Sequence, residues 1–382
     1  MVKIGIGADI VPTKSNYSLF IEGNKEELIG DKLCEILNSC DYTIFNLETP
    51  LTNTCTPINK CGPALFTPEE TILGLSRINP HFFNLANNHI LDQGVQGLEK
   101  TIKILDENNI NYAGVGKNIN EIKKYFVIRI KNKNIGIYCC SENEFSIATR
   151  FTAGANPYNP LESFDDVSKL KENVDFLIVL YHGGIEEYRY PSPNMQKIFR
   201  KFADSGADVV IGQHSHCIGC KEIYKDSTLI YGQGNFLFDA SDIEPWKTSL
   251  FLEIYLNDNS YEINYVPLTK QSNKVRVAED NMFKDILDDF NKRSENIKHE
   301  NFIENSFANL CRNKSKPYIR VLSGNKNVLK KIYIKLFNPP IAFFYKLSDK
   351  LMVYNYLNCE SHYEIMKAIL KGSIENDKDF IE

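Results

Sequence analysis

Gly206-Ala207-Asp208-Val209-Val210-Ile211-Gly212-Gln213-His214-Ser215-His216 is the stretch on which the reading of this chain turns. Ala207 to Ile211 is a short apolar run rich in β-branched residues, which predicts a buried strand. Gly212 ends the run, and two histidines follow one residue apart. In extended chain such a pair points to one side. That suits two imidazoles meeting one metal, or two adjacent metals. The same pair would also fit two loop histidines bonded to backbone, so the decision rests on the rest of the chain.

Outward from this stretch the same pattern recurs. Asp175 to Tyr181 predicts a buried strand followed by His182, and residues 194–205 predict a helix between the two strands. Towards the N-terminus, Lys3 to Asp9, Asp41 to Glu48 and His81 to Asn87 read as strands, the last followed by Asn88 and His89. Helical spacing separates them at 25–39, 68–76 and 94–107. Strand and helix alternate, which argues for α/β layering. Phe126–Ile130 and Ile135–Cys139 predict a hairpin, and residues 141–165 read as an irregular insert near a site. Thr228–Tyr231, Ser249–Leu256 and Tyr261–Val266 are consecutive strands, and helices are expected at 281–295, 325–336 and 341–371. The expected domains are therefore 1–270, layered, and 271–382, a helical extension.

Bulk properties exclude several classes. The 382 residues are 43% hydrophobic and 24% charged, ordinary for a globular protein. No apolar run approaches a membrane span. Met1-Val-Lys-Ile-Gly-Ile reads as a strand and lacks the features of a secretion signal. The expected compartment is the cytoplasm, where the ten cysteines, including Cys217-x-x-Cys220, would be reduced thiols. With no second C-x-x-C, a closed zinc knuckle is disfavoured.

Asp9, Glu48, Asn88, His182, His214 and His216 share one property: each lies at or just past the C-terminal end of an expected strand. Ligands of open α/β sheets bind outside those ends. Mixed oxygen and nitrogen donors suit Mn, Fe, Zn or Mg. Such ions, one or two, lower the pKa of water and stabilise both oxygens of a phosphoryl displacement. His89 would sit beside the site as a proton donor to a leaving oxygen, oriented by Asp92. Asp9, Glu48 and Asn88 have bland alternatives as helix caps or turn residues. His81 reads as a packed strand residue, and His299 and His362 carry no assignment.

Asn87-Asn-His-Ile-Leu-Asp-Gln-Gly94, Tyr181-His-Gly-Gly-Ile-Glu-Glu-Tyr188, Gly206 to His216, and Ile230-Tyr-Gly-Gln-Gly-Asn-Phe236 together resemble the motifs of the CapA family of capsule and poly-γ-glutamate biosynthesis proteins. The resemblance covers residues 2–268. It implies a fold similar to the calcineurin-like metallophosphoesterases, a four-layer α-β-β-α sandwich. It also implies a ligand assignment: Asp9, Glu48 and His216 for one metal, and Glu48, Asn88, His182 and His214 for the other. The phosphoesterases place a histidine two residues after the aspartate, where this chain has Val11. Glu48 stands where they use aspartate, which leaves the first position weak or empty. Gln213 and Ser215 replace a histidine and a proline around the pair. Glu187, Tyr188, Arg189 and Asn235 are the expected substrate contacts.

Residues 311–350 carry ten Lys or Arg and one acid, Asp349, interleaved with aromatics such as Tyr318 and Tyr333. That is a net +9 within a chain of net −5, so the remainder is −14. The segment is either a solvated face or a surface for an anionic partner, a small molecule or a polymer. No motif supports specific nucleic-acid recognition. The leading expectation is a metal-dependent hydrolase of a phosphate ester or phosphoanhydride in capsule or surface-polymer assembly. The alternatives are formation or cleavage of a γ-glutamyl or sugar amide, and a non-catalytic polymer-binding component. The oligomeric state is left open.

Overall fold

In a computed structural model, residues 1–239, 243–258, 260–271, 273–323 and 346–378 are described. Their strands are β1 (Val2–Val11), β2 (Tyr42–Leu47), β3 (Phe82–Asn84), β4 (Asn111–Ala113), β5 (Val115–Gly116), β6 (Tyr125–Ile130), β7 (Lys133–Ser141), β8 (Gly154–Ala155), β9 (Phe176–His182), β10 (Val209–Gln213), β11 (Lys221–Tyr224), β12 (Ser227–Ile230), β13 (Asn235–Phe238), β14 (Thr248–Leu256), β15 (Tyr261–Gln271) and β16 (Lys274–Val277). One sheet has the order β16-β15-β14-β1-β2-β3-β4, with β13 also pairing with β1. A second runs β11-β12-β10-β9-β7-β6, and β5 and β8 form a small ribbon. The centre of each sheet is parallel: β1-β2-β3-β4 in the first and β7-β9-β10-β12 in the second. Hairpins supply the antiparallel edges.

Side-chain alternation stacks the two sheets. Ile178 and Leu180 of β9, and Ile135, Ile137 and Cys139 of β7, face Ile4, Ile6, Ile44 and Phe82 of the first sheet in one buried cluster. The intervening Leu177, Val179 and Tyr181, with Tyr138 and Cys140, face the other way and meet Phe199 and Phe202 of the helix Pro193–Asp204. Period-two alternation in strands buried on both faces is what makes them read as unbroken apolar runs. Phe45 and Phe83 on the far face of the first sheet pack with Phe20, Leu33 and Leu98 of its helices. The molecule is thus a mixed α/β sandwich of four layers, helix-sheet-sheet-helix.

Several local expectations change on contact with the structure. The helix expected over 25–39 is two, Lys25–Ile29 and Asp31–Asn38, because Gly30 adopts φ 75° between them. The stretch expected to be irregular contains β8, and the helix Ser163–Lys171 begins inside it. β16 carries the first sheet past residue 270 to Val277. The C-terminal part is helical at Asp280–Asn296, Phe302–Ser323, Leu347–Asn358 and Glu360–Lys378. The helix expected at 325–336 and most of the basic, aromatic segment lie outside the described residues. All ten cysteines are free thiols, Cys217 and Cys220 among them. Among the described residues, no helix is long and apolar enough to cross a membrane.

Candidate metal centre

The parallel strands of both sheets end on one side, and the polar residues at those ends converge. Asp9 lies near the end of β1, where the register with β2 and β13 shifts. Glu48 follows β2, Asn88 sits in the turn after β3, His182 closes β9, and His214 and His216 follow β10. Ligand atoms of Glu48, His182 and His214 lie within 4.8 Å of one another, as do those of Asp9, Glu48 and His216. His182 Nε2 is 3.2 Å from Glu48 Oε1 and 3.0 Å from Asn88 Oδ1. His214 Nδ1 is 3.9 Å from Glu48 Oε1, and His216 Nδ1 is 3.6 Å from Asp9 Oδ2. All six residues suggested by sequence therefore share one cage.

The paired imidazoles meet by a different route from the one expected. His214 and His216 are not in extended chain: their φ angles are 87° and 53°, both left-handed. Non-glycine residues there are strained, and such strain persists only where surrounding structure enforces it. The His214 N–H donates to Asp9 Oδ2 at 3.1 Å, which ties the turn to the opposite sheet. The two rings end with centroids 5.6 Å apart.

Around the cage runs a shell of amides. Asn46 Nδ2 donates to Asp9 Oδ1 at 2.7 Å and lies 3.2 Å from His182 Nδ1. Asn87 Nδ2 donates to Asn46 Oδ1 and to the Leu47 carbonyl. Asn235 Oδ1 accepts from His216 Nδ1 at 2.8 Å, so this substrate-contact candidate touches the cage itself. Gln213 Oε1 accepts from Asn84 Nδ2 at 3.1 Å, joining the two sheets. Shells of this kind orient ligands and are part of a metal site's function.

Glu48 decides what the cage is for. It is fully buried, and among the described residues its carboxylate oxygens face only imidazoles, the nearest being His182 Nε2 at 3.2 Å. Burying an ionised carboxylate costs several kcal/mol unless a positive charge offsets it. Burial opposes ionisation of Glu48, but the facing His182 and His216 imidazoles outweigh it and hold the carboxyl well below its usual range. His214 Nδ1 is also buried and has no hydrogen-bond partner among the described residues. Burial lowers the His214 pKa, yet Glu48, Glu144 and Glu186 push it up to about 10. His216 is raised against its burial by Glu48 and Asp9, whereas burial keeps His182 below its usual value. The cage thus demands positive charge, as protons on imidazoles or as a divalent cation. Carboxylates, imidazoles and an amide oxygen form a donor set that fits such a cation.

His89 and Asp92 stand next to the cage. His89 Nδ1 donates to Asp92 Oδ2 at 2.5 Å, leaving Nε2 for other work. A buried lysine completes this pair. Lys60 Nζ lies 2.6 Å from Asp92 Oδ1, donates to the Asn88 carbonyl at 3.2 Å and sits 3.3 Å from His89 Nδ1. The other substrate-contact candidates are engaged elsewhere. The Tyr188 hydroxyl donates to Ser306 Oγ at 2.8 Å, Arg189 pairs with Glu244 at 3.0 Å, and Glu187 is exposed, with its N–H on the Ser215 carbonyl. His81 is structural, its Nδ1 accepting from the Thr43 N–H at 3.2 Å.

Sequence reasoning missed Lys60, Glu144, Glu186 and His362. Glu144 Oε1 is 3.9 Å from His214 Nε2. Glu186 lies within 4.8 Å of ligand atoms of both His214 and His216. It opens to solvent; the charges of His214 and His216 outweigh desolvation and hold its carboxyl below the usual range. His362, from the C-terminal part, donates to or accepts from the Tyr318 hydroxyl at 2.6 Å, and burial keeps it below its usual value. Glu186 had a signal, since it adjoins Glu187 in a quoted motif. The others come from loops and helices without chemical spacing.

The structure is a four-layer sandwich with carboxylates and imidazoles gathered at its strand ends. The sequence model described as "Bacterial capsule synthesis protein PGA_cap" matches residues 9–240, more than half of the chain. The chain belongs to that family. It is 30% identical over 214 residues to a capsule biosynthesis protein CapA of Bacillus anthracis, covering 54% of this chain and 52% of that protein. It is also 30% identical over 210 residues to a PGA biosynthesis protein CapA of Bacillus subtilis, covering 53% and 55%. The match thus spans about half the length of these curated relatives. A Mycoplasma pneumoniae phosphatase structure is similar at TM-score 0.45 and 14% identity, covering 70% of this chain and 93% of that one. A Staphylococcus aureus structure described as "Putative 5'-Nucleotidase" is similar at 0.43 and 14%, covering 76% and 58%.

Proposed function

We propose that this chain is a metal-dependent hydrolase of a phosphate ester or phosphoanhydride, acting in the assembly of capsule or another surface polymer. The observation that carries this reading is Glu48, a fully buried carboxylate ringed by His182, His214 and His216. Asp9, Glu48, Asn88, His182, His214 and His216 would hold one or two divalent cations. When bound, these would supply Lewis-acid polarisation of a phosphoryl oxygen and a more acidic water. The chain's own residues do the rest. His89, its Nδ1–H fixed by Asp92, presents Nε2 to pass a proton to the leaving oxygen. Lys60 holds Asp92 and the Asn88 carbonyl in one geometry. The role in surface-polymer assembly rests on the family and on the names of its relatives.

The test is a phosphatase and phosphodiesterase assay with Mn or Zn, comparing the wild type with His214→Ala. Loss of about a hundredfold or more is expected, as for removal of a group that stabilises transition-state charge. Equal activity in both proteins rejects the reading. The same panel includes a γ-glutamyl amide, because relatives are named for poly-glutamate synthesis. Turnover of that substrate alone would favour amide chemistry over phosphate-ester hydrolysis.

A further inference from the structure

At one end of the cage Asp9, Glu48 and His216 are the donors in reach. On the other side of His216 a different group is in reach. Glu186 places a carboxylate oxygen within 4.8 Å of ligand atoms of His214 and His216. His214 Nδ1, buried in the same cage, has no hydrogen-bond partner among the described residues. Two imidazoles and a carboxylate form a donor set used for Zn, Fe and Mn.

The loop that presents Glu186 is built rather than loose. Gly183 follows His182 directly; a Cβ there would lie 2.5 Å from Glu142 Cγ, so the close approach requires glycine. The Gly184 N–H donates to Glu142 Oε1 at 3.2 Å, and Ser361 Oγ donates to that same oxygen at 2.7 Å. Ile185 is buried in a cluster with Phe307, Ile365, Met366 and Ile369 of the C-terminal helices. Two residues past Glu186, the Tyr188 hydroxyl donates to Ser306. The helical extension therefore grips the loop on both sides of Glu186.

We propose that Glu186 is a cation ligand beside His214 and His216, and that the C-terminal helices hold it in place. Glu186 is the solvent-side member of the set, so it caps the cation against bulk water while His214 and His216 hold it from below. This rests on the reading that the cage takes divalent cations, and the experiment separates the two.

The measurement is Mn²⁺ titration by calorimetry, with elemental analysis of the loaded full-length chain. It compares the wild type, Glu186→Gln and the neighbouring Glu187→Gln. Glu186→Gln keeps the side-chain shape and removes the charge. The expected result is a cation count reduced by one in Glu186→Gln, or one affinity weakened by about tenfold or more, with Glu187→Gln matching the wild type. The cobalt-loaded absorption spectrum should change in Glu186→Gln alone. A wild type that binds no cation overturns the functional reading itself. A wild type that binds, with Glu186→Gln identical in count, affinity and spectrum, overturns only the assignment of Glu186. Equal weakening in Glu187→Gln overturns it too, since the effect would then be one of surface charge.

Discussion

At the scale of single residues, the site turns on which donor atoms lack partners. Glu48 is fully buried and faced by imidazoles, and His214 Nδ1 is buried with no hydrogen-bond partner among the described residues, so the cage must be satisfied by positive charge. An imidazole must shed any proton before it binds a cation, so cations and protons compete for the same places. Apparent Mn²⁺ affinity should therefore rise with pH through the neutral range. Calorimetry in buffers of different ionisation enthalpy should show proton release on binding. The His89–Asp92 pair makes a different prediction. His89→Ala should lower turnover of an aryl phosphate by about 10²–10⁴-fold, the usual worth of a positioned acid or base, while cation content is unchanged. The six cage residues were legible because each stands where an apolar run stops. Lys60 and Glu144 were not, because only tertiary packing brings their loops to the strand ends. Nor was the left-handed turn that joins His214 to His216, since a strand-like reading assigns both rings by alternation.

At the scale of elements, two features make testable claims. In β1, Gly7 lies under Phe45 of β2: a Cβ there would fall 2.3 Å from Phe45 Cδ1. Gly7→Ala should cost about 1–3 kcal/mol, the range for overpacked cores, read as a lowered midpoint in denaturant. The second feature is the clasp between the site loops and the helix Glu360–Lys378. Glu142 accepts from the Tyr181 hydroxyl, the Gly184 N–H and Ser361 Oγ, and meets Cys359 Sγ at 3.2 Å. Burial, with Glu360 nearby, pushes the Glu142 carboxyl up to about 7. The native state therefore favours the protonated acid. Its contribution to stability is fully present below pH 4.5 and is lost as pH rises through about 7. Glu142→Gln, which mimics the protonated form, should remove that part of the stability loss between pH 5 and pH 8 in thermal melts. An unchanged pH dependence would remove Glu142 from the account of the clasp. The part of this clasp that reaches the helix had no sequence signature, because Cys359 and Ser361 lie more than 200 positions from Glu142.

At the scale of the whole molecule, the alternation of apolar runs with helical spacing foretold the layering well. β7, β9 and β10 are buried on both faces, so their side chains read as continuous apolar runs and their order follows from parallel crossovers. The extension was harder to place, because its helices bury their apolar residues against Ile185 and Tyr188 rather than against one another alone. A cation bound in the cage would join both sheets through Asp9, Glu48, His182 and His214, and so stabilise the fold as a unit. At a concentration one hundred times its dissociation constant, a single bound ion adds about 2.7 kcal/mol, visible as a raised Tm with Mn²⁺ and reversed by chelation. The most direct test of the central claim is the cation content of the purified chain after dialysis against Mn²⁺ or Zn²⁺, beside Glu48→Gln. One or two ions per wild-type chain, and markedly fewer in Glu48→Gln, is the result expected. A wild type that remains free of cations at saturating metal, with its fold intact, would contradict it.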